Sequence, residues 1–259
     1  MKTTIFYFTG SGNSLAHAKT IADGLRDAEV ESIPHAMETI SSEETRDERV
    51  RSSPWRNSRR IGFVFPTYAY GLPRLVREFV EKARLPGDAY YFAVASNCGI
   101  PGNVLRQLGR LLRKRGCRLE AGFSVLDERS LLIDDPEKDT IQRVMISVNR
   151  GQFPGSSAER LDEIIETVKA EERKPMETSN RLTNILGSLL YRLASSSFRK
   201  MAENYWVGDT CNGCGTCARI CPRGNIRMAD GRPMWGDDCE MCHACIQWCR
   251  NEAVQYGSL

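Results

Sequence analysis

Short apolar runs and amphipathic stripes alternate along the first half of the chain. Thr3–Phe8, rich in β-branched and aromatic residues, reads as a buried strand, Leu15 opens a helix running to about Asp27, and Glu29–Ile33 reads as a second strand. Ser41–Arg60 is dense in charge and reads as a solvated helix plus a loop around Pro54. Ile61–Phe65 is a fully apolar third strand, and the helix from near Arg74 carries Val76, Phe79 and Val80 on one face. Tyr90–Ser96 is a fourth strand, Asn103–Lys114 a helix with a basic face, and Leu119–Leu126 a fifth strand, with Cys117 a core residue just before it. This alternation predicts an α/β fold with a parallel, doubly wound sheet. Helical patterns follow at Glu137–Val148, at Ala158–Arg173 (Leu161, Ile164, Ile165 and Val168 on one stripe) and at Leu182–Phe198. The last has few basic residues on its polar face, so docking between two domains is expected of it rather than a membrane surface.

The periodicity then gives way to cysteine. Cys211, Cys214, Cys217 and Cys221 form a C-x2-C-x2-C-x3-C run followed by Pro222, and Cys239, Cys242, Cys245 and Cys249 repeat the spacing. Three thiolates two residues apart converge only if the backbone wraps a compact object, while the fourth faces away into the start of a helix. Structural zinc would leave the third cysteine of each triplet without a role. Disulfides suit secreted chains, whereas Met1-Lys2 runs straight into the first strand with no signal-type cleavage site. A reducing cytoplasm is the expected compartment.

These runs resemble the two-cluster bacterial ferredoxins, in which the fourth cysteine of each run ligates the other run's cluster. The resemblance implies one [4Fe–4S] cluster on Cys211, Cys214, Cys217 and Cys249, and a second on Cys239, Cys242, Cys245 and Cys221. Arg250 stands where the family has a second proline. Ile220, Ile226, Ile246 and Val254 are expected to form the small apolar core, with Trp206, Trp235 and Trp248 shielding the clusters and His243 either an exposed spacer or a hydrogen-bonding or proton-coupled group.

Between the first strand and helix, Thr9-Gly10-Ser11-Gly12-Asn13-Ser14 puts free backbone N–H groups at a helix start, an anion site. The loop lacks both the P-loop lysine and the dinucleotide glycine spacing, so a monophosphate held by hydroxyls and amides is expected; the alternative is an ordinary helix-capping turn. The loop is similar to the phosphate loop of flavodoxins, matching at Thr9, Ser11, Gly12, Asn13 and Ser14. That resemblance implies FMN, with Pro66, Thr67, Tyr68, Ala69, Tyr70 and Gly71 along the isoalloxazine ring, one tyrosine stacking on it. Ser96, Asn97, Cys98 and Gly99 would complete the pocket. It also implies the strand order 2-1-3-4-5, with the ligand at the switch point between strands 1 and 3.

The chain of 259 residues has a formal net charge of +3, and cluster thiolates would move it toward acidic. Basic residues are scattered among acidic ones with no nucleic-acid motif, and no run of 18 apolar residues exists to cross a membrane. The whole resembles fusions, found in anaerobes, of a flavodoxin-like domain (1–175), a helical linker (176–204) and a small α+β two-cluster ferredoxin domain (205–259). What this implies is an intracellular low-potential electron carrier linking two [4Fe–4S] clusters and FMN, with redox proteins as partners and no catalytic residues of its own. The rival readings are a ferredoxin-dependent flavin reductase and a redox sensor with structural clusters and no flavin.

Overall fold

The computed structural model describes residues 2–43, 54–68, 71–97, 101–127, 156–179, 184–185, 189 and 200–257. The helix expected at Glu137–Val148 and four expected flavin residues (Ala69, Tyr70, Cys98 and Gly99) lie outside them. Two compact units are present, one of Met1–Phe8 and Asn13–Ser188, the other of Thr9–Gly12 and Leu189–Leu259.

In the first unit β1 (Thr3–Tyr7), β2 (Ala28–Ser32), β3 (Arg60–Pro66), β4 (Tyr90–Asn97) and β5 (Leu119–Leu126) form one sheet in the order β2-β1-β3-β4-β5. Every pairing is parallel, as the alternation of elements predicts. β4 is buried at all 8 positions, the signature of a strand covered on both faces. On one face Ile5, Val94 and Phe123 meet Ile21 and Leu25 of α1 (Asn13–Leu25) and Ile164 and Val168 of α5 (Ser157–Lys169). α5 starts in a capping box between Ser156 and Glu159, which satisfies two of its orphan N–H groups.

Elsewhere in this core Phe6 packs against Phe63, against Phe79 of α3 (Arg74–Lys82) and against Trp55. Trp55 corrects the reading of 41–60 as solvent-facing throughout, being 5% exposed and donating from Nε1 to Arg84 O. A second correction is α2 (Ile33–Glu43), which starts directly after β2; the missed signal is Pro34, a residue suited to a helix's first turn. α4 (Val104–Lys114) buries Leu105, Leu108 and Leu112, and Cys117 is buried as expected. The free edge of β5 is covered by 174–177, where Lys174 N donates to Glu120 O and Glu177 N to Gly122 O. Of the stripe expected at 182–198, Ile185 and Leu189 are exposed.

The second unit pairs β6 (Tyr205–Val207) with β9 (Val254–Tyr256), and β7 (Ile226–Ala229) with β8 (Arg232–Trp235), both antiparallel. Two short helices, α6 (Thr216–Ile220) and α7 (Ala244–Gln247), begin just before the third cysteine of each triplet, and Ile226 and Val254 are buried in the core as expected. Ile220, in contrast, is exposed, and Ile246 only edges the core.

Candidate functional site

Each cysteine triplet is bent by left-handed residues, Gly213 and Gly215 in the first run and Met241 and His243 in the second. Such turns aim successive N–H groups inward, as anion-binding nests do. Gly215 and His243 cap α6 and α7, so the third cysteine of each run sits in a helix's first turn. Cys221 leaves the end of α6 in extended backbone, and its thiol borders a cavity with Cys239, Cys242 and Cys245. That cavity joins the fourth cysteine of one run to the triplet of the other. Backbone amides already point at these sulfurs: Asn225 N donates to Cys221, Ala253 N to Cys249 and Met241 N to Cys239, each at 3.3 Å.

The electrostatics of the thiols are uneven. Burial pushes Cys245 up to about 12 and raises Cys239 and Cys242 as well, so the second run favours neutral thiols unless a cationic core holds their anions. Cys214 is exposed, and hydrogen bonding from Thr216 lowers it. The described cysteines are all unbridged. Among the described residues no three His, Cys, Asp or Glu side chains converge where a single ion would sit. The second run's thiols instead line one cavity together with Cys221.

Tyr205, Trp235 and His243 line the same cavity. Tyr205 and His243 Nδ1 share a hydrogen bond of 2.9 Å, and desolvation lowers His243, so it is a partnered, half-buried group and not an exposed spacer. Trp248 is 47% exposed, which removes it from the expected shield. Tyr205 is the residue the sequence reading passed over; its signal is an aromatic six positions ahead of the first cysteine.

The expected flavin residues divide between the two units. In the second, Gly12 takes φ +105° and its N–H closes on Thr9 Oγ1 at 2.9 Å, with Ser11 half-buried between them. Within the same unit Trp248 Nε1 donates to Gly10 O at 3.1 Å, and a Cβ on Gly10 would fall 2.0 Å from Cys242 O.

In the first unit Asn13 opens α1, and Ser14 is turned inward, its hydroxyl 2.6 Å from that of Ser96 at the end of β4. Pro66 ends β3; Thr67 N donates to Ser96 O, and Thr67 Oγ1 is buried without a partner, an orphan hydroxyl at the ligand-binding edge of the sheet. Tyr68 and Gly71 bond each other's backbones, and Tyr68 lies edge-on to Phe8 at 6.0 Å. Asn97 is buried, and its amide donates to Ser124 and Val125, so that group braces β5. Sequence reasoning also missed His17, buried on α1 with Nε2 3.3 Å from Asp127 just beyond β5. Within the first unit, the orphan Thr67 hydroxyl at the ligand-binding edge of the sheet fits a polar group of a ligand.

The family described as a 4Fe-4S binding domain (Fer4) matches residues 205–227. No curated protein matches the chain in sequence. Among solved structures, an archaeal flavodoxin is 16% identical and aligns over 57% of this chain and 96% of its own, with a TM-score of 0.32. A short-chain flavodoxin associated with a PDU bacterial microcompartment is 14% identical over 66% of this chain and 100% of its own, TM-score 0.41. General stress protein 14 of Treponema denticola, solved in complex with FMN, is 11% identical over 65% of this chain and 99% of its own, TM-score 0.36. The chain thus combines, in one polypeptide, a flavodoxin-like doubly wound sheet and a ferredoxin-type 4Fe-4S motif.

Proposed function

We propose that this chain is a low-potential electron-transfer protein that holds two [4Fe–4S] clusters and one FMN and exchanges electrons with redox-protein partners. The observation that carries the reading is the cavity shared by Cys221, Cys239, Cys242 and Cys245, where one run's fourth cysteine meets the other run's triplet. When bound, clusters supply one-electron transfer and a flavin supplies one- or two-electron transfer. The chain's own part is to hold and tune them. In the second run the amides of Asn225 and Met241 partly neutralise sulfur charge, and burial keeps water from it. Cys211, Cys214, Cys217 and Cys249 would hold the other cluster.

For the flavin, Thr9, Ser11, Gly12, Asn13 and Ser14 would supply amides and hydroxyls to the phosphate, Ser14 through its backbone because its hydroxyl is bound to Ser96. Pro66 to Gly71 and Ser96 to Gly99 would border the ring, with the Thr67 hydroxyl free to bond it. The domains would follow as a flavin-binding part over 1–175, a linker over 176–204 and a two-cluster part over 205–259, in a cytoplasmic setting. Among the described residues no helix is long and apolar enough to cross a membrane.

The test is stoichiometry on oxygen-free protein: about eight irons, eight acid-labile sulfides and one FMN per chain. Zinc in place of iron, or failure to take up flavin, contradicts the reading. Turnover of a small-molecule acceptor by the reduced protein would replace the carrier with a reductase.

A further inference from the structure

The hairpins around the cysteine runs repeat at the same 28-residue spacing as the runs. Ile226 pairs with Trp235 as Val254 pairs with Val207, and Met228 with Pro233 as Tyr256 with Tyr205. Each residue near one site therefore has a counterpart near the other, and the counterparts differ in chemistry. Trp235 stands four residues before Cys239, and Val207 four before Cys211. Valine has nothing to donate, and neither does Pro233, the counterpart of Tyr205.

Trp235 lines the cavity of the second run, and its ring stacks on Tyr205 with centroids 5.5 Å apart and planes within 10°. Its Nε1 is buried with no hydrogen-bond partner in place, a costly state for a donor. Indole nitrogen can only donate, so the acceptor it waits for is electron-rich, and the cysteine sulfurs that line the same cavity are acceptors of that kind.

We propose that, once the cavity holds its cluster, Trp235 Nε1–H donates to a cysteine sulfur of that cavity and raises that cluster's reduction potential, a donor that its counterpart Val207 cannot supply to the first cluster. On reduction the cluster takes one electron from the external reductant while the proton stays on the indole nitrogen. The reduced cluster carries the greater negative charge, so the hydrogen bond stabilises it more. The inference rests on the two-cluster reading above.

The experiment is a potentiometric titration of the full chain with dithionite, free of oxygen, followed by electron paramagnetic resonance and accompanied by iron analysis. Trp235→Phe keeps a ring against Tyr205 and removes only the N–H. Expected are unchanged iron, one cluster's reduced-to-oxidised ratio at fixed potential lowered about tenfold (~59 mV for one electron), and the other cluster unmoved. Both clusters unmoved, or both displaced together, overturns the inference. About four irons in the unaltered chain overturns the two-cluster reading and the inference with it. Should Trp235→Phe assemble only one cluster, the unaltered chain carrying ¹⁵N-indole tryptophan decides: its reduced second cluster must show hyperfine coupling to that nitrogen, and none overturns the proposal.

Discussion

The two cysteine runs are copies in sequence, offset by 28 residues, and the backbone treats them as copies. Positive φ recurs at matching places: Gly213 and Met241, Gly215 and His243, Gly224 and Glu252. The amide-to-sulfur bonds recur too, from Asn225 to Cys221 and from Ala253 to Cys249. What differs is the side chains. The first run has glycine at all three left-handed positions, and its Cys214 is exposed. The second has bulky residues at those positions, and Tyr205, Trp235 and His243 gather around its cavity. One backbone pattern thus makes two environments, an open one and an enclosed one. Two sites of equal ligand set would gain different redox properties through burial and hydrogen bonding alone.

The largest expected effect tests which cysteine serves which environment. Cys221→Ser should cost about half the iron and remove the cluster that responds to Trp235→Phe. Cys249→Ser should cost a similar amount and leave that cluster in place. If Cys221→Ser instead spares the Trp235-sensitive cluster, the crossing of the runs is wrong, whatever the spacing implies. Next in size is thiol reactivity after the metal is stripped by a chelator. The thiolate is the reactive form, so Cys214, exposed and lowered by the Thr216 hydroxyl, should be alkylated first near neutral pH. Cys242 and Cys245, both pushed up by burial, should be labelled last and only as the pH is raised. Mass spectrometry of partly alkylated chain reads the order directly.

How much of this was legible in the sequence follows from where each signal resides. Strand runs such as Ile61–Phe65 announced the sheet because a doubly covered strand must be apolar at nearly every position. The cysteine spacing announced the candidate ligands because it is local. The crossing of Cys221 to the other triplet entered through a family resemblance, and in the structure Cys221 lines one cavity with that triplet. His17 with Asp127 and the Ser14–Ser96 pair join residues far apart in the chain, so no local pattern reports them. Trp55 was hidden by the charges around it, and Asn97 looked available because its bonds to Ser124 and Val125 exist only after β4 and β5 pair. The left-handed positions were half legible: glycines advertise them in the first run, and nothing does in the second.

A substitution at one of those glycines should cost more than the same change in the other copy. A Cβ on Gly213 would fall 2.8 Å from Gly231 O at φ +71°, so Gly213→Ala combines backbone strain with a contact to main chain that cannot swing away. A loss of roughly 1–3 kcal/mol is expected, read as a lower unfolding midpoint of the oxygen-free holoprotein. Met241→Ala already stands on a strained position with a Cβ, and should change the midpoint far less. Equal losses would mean that the two turns are not equivalent in energy despite their shared φ.

The smallest effect runs the other way. Glu252 holds φ +49° where the first copy has Gly224, and both donate from their backbone N–H to the fourth cysteine's carbonyl, Glu252 to Cys249 and Gly224 to Cys221. Relief of the left-handed penalty by Glu252→Gly is worth about 1–2 kcal/mol. The added freedom of the unfolded chain takes back about 0.4–1 kcal/mol. The net is a gain of between about zero and ~1.6 kcal/mol, visible as a small rise in the unfolding midpoint. His243→Gly is a poorer probe of the same strain, since it also deletes the bond to Tyr205. A fall in the midpoint for Glu252→Gly would show that the exposed carboxylate does something for the second run that its copy in the first does without, and the two environments would then differ in their loops as well as in their cavities.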